Sequence, residues 1–271
     1  MLYFILRYII RYRLKIVKKN IARSFPEKDK KDCALIVNNF YRHFIRQNLE
    51  SIKFIFMSPK SIKKKFIFEN IEIIEDIAKK NQNITLVLGH YGTWDWIASI
   101  PLWSNKLIFG ALYKRIKNNF FNNLFLKIRS RFGIKCIEMK QALKGIIELN
   151  KGNKPNLIVY IADQCPWNER TKYWIKFLNQ PTATQSGWAT IAQKFDTAVV
   201  YLKINPISKG KYVARFELLT ESPNDVSKKY LVETFFTKLE RDIKEQPEYW
   251  LWSHKRWKYT QIENQELKIN E

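Results

Sequence analysis

The sequence predicts an α/β fold, a single sheet flanked by helices, and three observations carry that prediction. Two short apolar runs, 84–88 and 156–162, have the length of buried strands, and each ends at a turn or polar residue rather than continuing as a helix. Strand-like and helix-period segments alternate through the middle of the chain, the order that winds one sheet. At 271 residues and 46% hydrophobic, the chain can bury one substantial core, and no repeat, low-complexity linker or composition shift calls for a second.

In order, residues 1–20 are apolar and aromatic first, then basic, with no acidic residue. Their longest uninterrupted apolar run is far short of the about 20 residues that span a bilayer, and no small-residue cleavage site follows it. This predicts an interfacial, membrane-associating helix over 1–20, or the remnant of a longer anchor, ahead of a domain covering 21–271. After the break at Ser24-Phe25-Pro26, a helix is expected from about Asp29 to Lys53, with Leu35, Phe40, Phe44 and Leu49 at helical spacing. His43, on an aromatic face of that helix, reads as structural. Ser58-Pro59 breaks the chain, Lys63-Lys64-Lys65 reads as solvated or membrane-facing, and a helix over 71–80 leads to the first buried strand.

Beyond that strand a short helix is expected over 94–103, ended near Pro101. A strand over 107–113 and a helix over 118–131 with basic residues at its end follow, then a strand at 135–138 and a helix at 141–149. The clearest buried strand, 156–162, runs into Asp163-Gln164-Cys165-Pro166, and strand carboxyl ends are where open α/β sheets place ligands. A segment at 174–178 and a capping pattern at Thr182–Gly187 lead to a helix ending near Lys194. Strands at 198–204 and 212–219 and an amphipathic helix at 225–244 precede a tail rich in Trp and basic residues.

The charge is unusual: 48 Lys and Arg against 25 Asp and Glu give +23. Such a balance favours a polyanionic partner, nucleic acid or an anionic membrane, although a Lys/Asn/Ile-rich genome would also produce it. Nine Trp among 15% aromatics tilt towards a membrane interface. Cys33, Cys136 and Cys165 are odd in number and widely spaced, which argues for a reducing compartment. The three histidines and these cysteines show no metal-ligand spacing, so no metal is expected.

The chemistry concentrates in His90-Tyr91-Gly92-Thr93-Trp94-Asp95. With His90 in the loop after a strand and Asp95 in the first turn of the next helix, the two could meet; on one regular helix they would point about 140° apart. A carboxylate holding an imidazole, whose other nitrogen takes a proton from an alcohol, is the chemistry such a pair suits. A loop histidine beside a capping aspartate would give the same spacing. Cys165 could serve a Cys/His hydrolase, but the following Pro166 shows no sign of the basic surroundings an activated thiol needs.

Four ordered stretches, Lys18–Glu27 with Phe40–Phe44, then His90–Asp95, then Ala162–Gln164, then Pro247–Lys258, resemble the late (secondary) acyltransferases of bacterial lipid A synthesis, in a version like those of Bacteroidetes-type organisms. The resemblance covers nearly the whole chain. It implies a glycerolphosphate-acyltransferase-like fold at the cytoplasmic face of the inner membrane and an acyl donor that is an acyl carrier protein or CoA thioester. It also implies a glycolipid hydroxyl as acceptor, an anionic membrane surface as partner, and no cofactor and no nucleic acid. It assigns His90 as general base and Asp95 as its orienting partner. Arg129 or Arg131 matches the family's basic residue that holds acidic sugar or phosphate. Lys114 and Arg115 would add to that surface, and Asp163 with Gln164 would orient the site. Where the family usually has Glu, this chain has Asp95, and where it often has Asn, this chain has Thr93. Asp there is shared with glycerolipid acyltransferases, yet no Glu-Gly-Thr-Arg segment is present. The family's N-terminal anchor is longer than residues 1–20, which leads to the expectation of a truncated start. Two rivals stand beside this reading: an acyltransferase of a glycerolipid or aminolipid, and a basic nucleic-acid-binding protein.

Overall fold

The computed structural model describes residues 1–166 and 173–259. A seven-stranded sheet forms its centre, in the spatial order β1-β9-β8-β2-β5-β3-β4. The strands are β1 (Phe66–Glu69), β2 (Ile84–Leu88), β3 (Ile108–Tyr113), β4 (Lys135–Glu138), β5 (Asn156–Ile161), β8 (Ala198–Ser208) and β9 (Lys211–Thr220). A separate hairpin pairs β6 (Trp174–Phe177) with β7 (Gln180–Ala183). From β8 to β4 neighbouring strands run parallel, while β9 turns back antiparallel to β8 and carries β1 with it.

The helices are α1 (Leu14–Ser24), α2 (Lys30–Phe54), α3 (Pro59–Lys65), α4 (Ile71–Lys79), α5 (Asn119–Ser130), α6 (Ala142–Asn150), α7 (Gly187–Lys194) and α8 (Lys228–Glu245). Local chemistry starts several of them: the side chains of Asp29, Ser58, Asn118 and Ser227 each accept the backbone N–H three residues on. Two apolar clusters cover the two faces of the sheet. One joins α2, α6, α7 and α8 to Val87, Ile158 and Tyr201. The other joins α4, α5 and the 3-10 helix Trp94–Leu102 to Ile84, Leu86 and Leu88. The chain therefore leaves β2 over one face and leaves β5 over the other. The carboxyl ends of these adjacent strands flank a topological switch point, the position at which open α/β sheets form their ligand crevice.

Four expectations change. Residues 1–20 do not form one helix. A single turn at Leu2–Phe4 and a π-helical segment at Ile5–Ile9 are separated from α1 by Arg11 and Arg13, both with φ near +50°. β-branched and aromatic side chains crowd this stretch and give a continuous helix little intrinsic support. α1 straddles residue 20 and buries Val17 and Ile21 completely, so it belongs to the core of the larger body. The segment after His90 is a 3-10 helix with Pro101 inside it, since a proline removes a ladder donor from an α-helix. Finally, β8 and β9 pair through Pro206 as a long hairpin, and the last helix begins only at Lys228, after a 3-10 turn at Pro223–Asp225. β1 had no counterpart in the sequence reading: it follows a lysine run and reads as an edge segment. Residues 260–271, the end of the expected domain, lie outside the described residues.

Candidate active site

Gly89 ends β2, and its lack of a side chain is structural. A Cβ there would lie 2.6 Å from Leu239 Cδ1 and 3.3 Å from Asp163 Oδ2. The close approach lets the carboxylate from the end of β5 reach across to the loop after β2. His90 donates its backbone N–H to Asp163 Oδ2 at 2.9 Å, and its ring Nδ1 lies 2.6 Å from Asp163 Oδ1. Trp250 Nε1–H donates to Oδ2 at 2.8 Å. Asp163 is 2% exposed, and burial by itself would raise its pKa. The charge on His90 and the three donors outweigh that and hold the carboxyl down at about 2.

An ionised carboxylate can only accept, so the imidazole proton sits on Nδ1 when the ring is neutral. The lone pair is then on Nε2, where the Gln164 amide nitrogen lies 3.1 Å away and donates. The ring remains partly open to solvent, 16% exposed at its side chain, with Trp94 edge-on at 5.1 Å. One ring nitrogen is thus fixed by a buried carboxylate, and the other presents its lone pair to the Gln164 amide on the partly exposed side of the ring, an arrangement compatible with proton transfer at Nε2.

Asp95 is elsewhere. The carboxylate at the start of the 3-10 helix accepts from Ser51 Oγ at 2.9 Å and makes no hydrogen bond to His90. The expected His90–Asp95 pairing is therefore corrected: the partner of His90 is Asp163. The physical reason is the turn. Gly92, at φ +63°, folds the loop so that Trp94–Leu102 departs along one face of the sheet, carrying Asp95 towards α2 while His90 faces β5. Beside Asp95, Glu50 of α2 takes hydrogen bonds from Tyr212 at 2.6 Å and Thr93 at 3.5 Å.

The tail locks this loop. Gly92 N–H donates to Tyr249 O and Leu251 N–H to His90 O, and Tyr91 bridges Trp250. The tail is held in turn by α1, where buried Asn20 donates to the carbonyls of Trp252 and His254, both at 2.9 Å. Arg13 adds a bond to Ser253 O. The Trp-rich tail was legible as a motif; that one of its indoles holds Asp163, and that α1 clamps it, was not. A lone pattern of Trp residues carries no information about which backbone lies opposite.

The remaining expected positions divide. Gln164 touches His90. Lys114 and Arg115 follow the carboxyl end of β3 and are exposed, with Arg115 Nη2 near Asn119 Oδ1 at 3.5 Å. Arg129 lies over the Phe125 ring at 5.7 Å. Arg131 is committed to the fold instead of standing free for an anion: its guanidinium donates to Phe54 O, and to Met57 O at 2.5 Å, closing the carboxyl end of α2. Cys165 is half-buried, and burial raises its thiol above the ordinary value, the opposite of an activated thiolate. His254 Nε2 accepts from Cys165 N–H, and burial lowers its pKa to about 4. Buried His43, edge-on to Tyr249 at 4.6 Å, is likewise held neutral by burial, at about 4, and serves packing.

The family model described as bacterial lipid A biosynthesis acyltransferase matches residues 3–259. The chain belongs to that family. Among curated proteins it is similar to "Lipid A biosynthesis acyltransferase 2" of Shigella flexneri, 21% identical over 132 residues. The aligned region covers 48% of this chain and 41% of that relative, so the chain spans less than half the length of the curated relative it matches. Family membership covers both strand ends of the crevice and the tail that braces them. The expected resemblance and the α/β fold with its mainly parallel sheet are thereby established.

Proposed function

We propose that this chain is an O-acyltransferase that moves a fatty acyl group from an acyl thioester to a hydroxyl of a lipid A precursor. The observation that carries the reading is the His90 ring, fixed through Nδ1 by Asp163 and offering its Nε2 lone pair to the crevice. An acceptor hydroxyl replacing the Gln164 amide at Nε2 gives up its proton there. Its oxygen attacks the thioester carbonyl, the tetrahedral intermediate collapses, the C–S bond breaks, and the leaving thiolate takes the proton from His90. The thioester is its own activated donor, an acyl carrier protein or CoA derivative, and the transfer needs no protein nucleophile and no further cofactor. Lys114 and Arg115, at the same edge of the sheet, suit the anionic groups of such substrates.

Association with the cytoplasmic face of the inner membrane belongs to the same proposal. No described helix is long and apolar enough to cross a membrane. The first ten residues nonetheless expose Leu2, Phe4, Tyr8, Ile9 and Ile10, a short apolar surface of interfacial type. A second reading, transfer to a glycerolipid or aminolipid, is favoured by one observation, Asp95 in place of the family's usual Glu. Mass spectrometry of lipid A and phospholipids from a deletion strain separates the two, because only one pool loses an acyl chain. His90→Ala is expected to abolish transfer in a folded protein, and substantial residual transfer would overturn the base assignment.

A further inference from the structure

β2 lies between β5 and β8, so the loop His90–Thr93 has Asp163 on one side and the β8–β9 hairpin on the other. β8 pairs with β2 as far as Tyr201 and Val87 and then continues to Ser208, which lifts the hairpin turn beyond the carboxyl edge of the sheet. Gly92 packs on this extension, where a Cβ would lie 3.1 Å from Ile204 O. A cavity of about 270 Å³ opens between the hairpin and α2. It is lined by Arg46 of α2, by residues 206–209 and Tyr212 of the hairpin, and by Gln246 and Tyr249 ahead of the tail. These described lining residues include two cations and no acid.

Neither cation is spent on the fold. Arg46 and Lys209 make no hydrogen bond or ion pair with any described residue, whereas the acids closest in the chain to the lining residues are engaged, Glu50 by Tyr212 and Thr93 and Glu245 by Lys203. Glu248 adjoins Tyr249 but does not line the cavity. The hydroxyls of Ser208 and Tyr249 are likewise without a partner among the described residues, and Gln246 Oε1 is buried in the wall with none. A guanidinium fork, an ammonium and two hydroxyls in one small cavity suit a tetrahedral oxyanion, which takes several donors at once. We propose that this cavity is a subsite for a phosphate monoester group. Its walls are the groups that hold the catalytic loop: Tyr249 O accepts from Gly92 N–H, Gln246 O accepts from Tyr91 O–H, and Tyr212 shares Glu50 with Thr93. An occupant therefore braces the loop from the side opposite Asp163. Whether the phosphate arrives on the acceptor lipid rests on the acyltransferase reading; the anion subsite itself does not.

The test is isothermal titration calorimetry of the full chain with inorganic phosphate and with methyl phosphate, against chloride at the same ionic strength. Wild type is expected to bind both phosphates and to show no heat of binding with chloride. R46Q/K209Q changes only exposed side chains, so it is expected to keep the wild-type melting temperature and to bind the phosphates about tenfold more weakly. H90A, inactive in transfer, is expected to bind them like wild type, so a failed subsite and a failed catalytic assignment give different results. The source of the phosphate is read from transfer to intact and to phosphatase-treated acceptor lipid. If the acceptor supplies it, R46Q raises KM about tenfold for the intact lipid alone. If R46Q loses phosphate binding and leaves both KM values alike, the occupant is free phosphate. The proposal is overturned if wild type binds neither phosphate, or if R46Q/K209Q binds them as wild type does.

Discussion

Asp163→Asn tests the assignment of the imidazole's partner most sharply. Asp163 Oδ2 receives two fixed donors, the backbone N–H of His90 and Nε1–H of Trp250, so an amide in this position must keep its carbonyl oxygen there. Its NH2 then occupies the Oδ1 position, 2.6 Å from Nδ1 in the wild type, and donates where the carboxylate accepted. The imidazole is driven to carry its proton on Nε2, the nitrogen that should take the proton from the acceptor. A wrong tautomer of this kind costs about 10⁴ in kcat in a triad with the same logic, or roughly 5 kcal/mol of barrier. Asp95→Asn removes a carboxylate bound to Ser51 and not to His90, so its effect on kcat is expected to stay within about tenfold. The assay is acyl transfer from a radiolabelled thioester to purified acceptor lipid, reading kcat and KM for both variants. Near-wild-type kcat in the Asp163 variant with a collapse in the Asp95 variant would refute the reasoning. The two proteins should also differ in acid stability. A carboxylate held at about 2 against an ordinary 3.8 stabilises the fold above pH ~4, and this contribution is lost as pH falls towards 2. Its size is about 2 kcal/mol, so the stability of wild type should fall over that window more steeply than that of the Asn variant.

Trp250→Phe keeps most of the ring but removes one donor to a buried carboxylate, which should cost about 1.5–3 kcal/mol of stability in urea titration. Because Oδ2 loses a restraint while the substrate surfaces are untouched, kcat should fall more than KM rises; a pure KM effect would contradict a positioning role. Cys165→Ser should retain transfer activity within about threefold, since a thiol held protonated by burial does no nucleophilic work, and loss of activity with a wild-type melting temperature would reopen the thiol reading.

Much of the fold was legible because burial writes itself into local pattern. Ile84–Leu88 and Asn156–Ile161 are buried almost throughout, so their apolar runs announced central strands without alternation. Asp29 and Asn118 start expected helices through bonds to residues three positions on, and such local signals survive in sequence, whereas Ser58 starts the helix Pro59–Lys65 in the same way where only a break was expected. β1 was not legible, because an edge strand of four residues takes its identity from its neighbour β9. The break at Arg11–Arg13 was missed for a similar reason: left-handed backbone at arginine has no sequence mark.

The site divides the same way. Sequence alone determined that His90 and Asp163 each stand at the end of a buried strand, that Gly89 and Gly92 let the chain turn between strand and helix, and that a Trp-rich tail closes the chain. Only the tertiary structure decided which carboxylate His90 would meet. Asp95 is five residues away along the chain and Asp163 is 73, yet the parallel pairing of β2 with β5 brings the distant carboxylate to 2.6 Å while the turn at Gly92 sends the near one to Ser51. Spacing along a chain limits which side chains can meet. Strand neighbourhood, fixed by burial on both faces of a shared sheet, selects the pair that does.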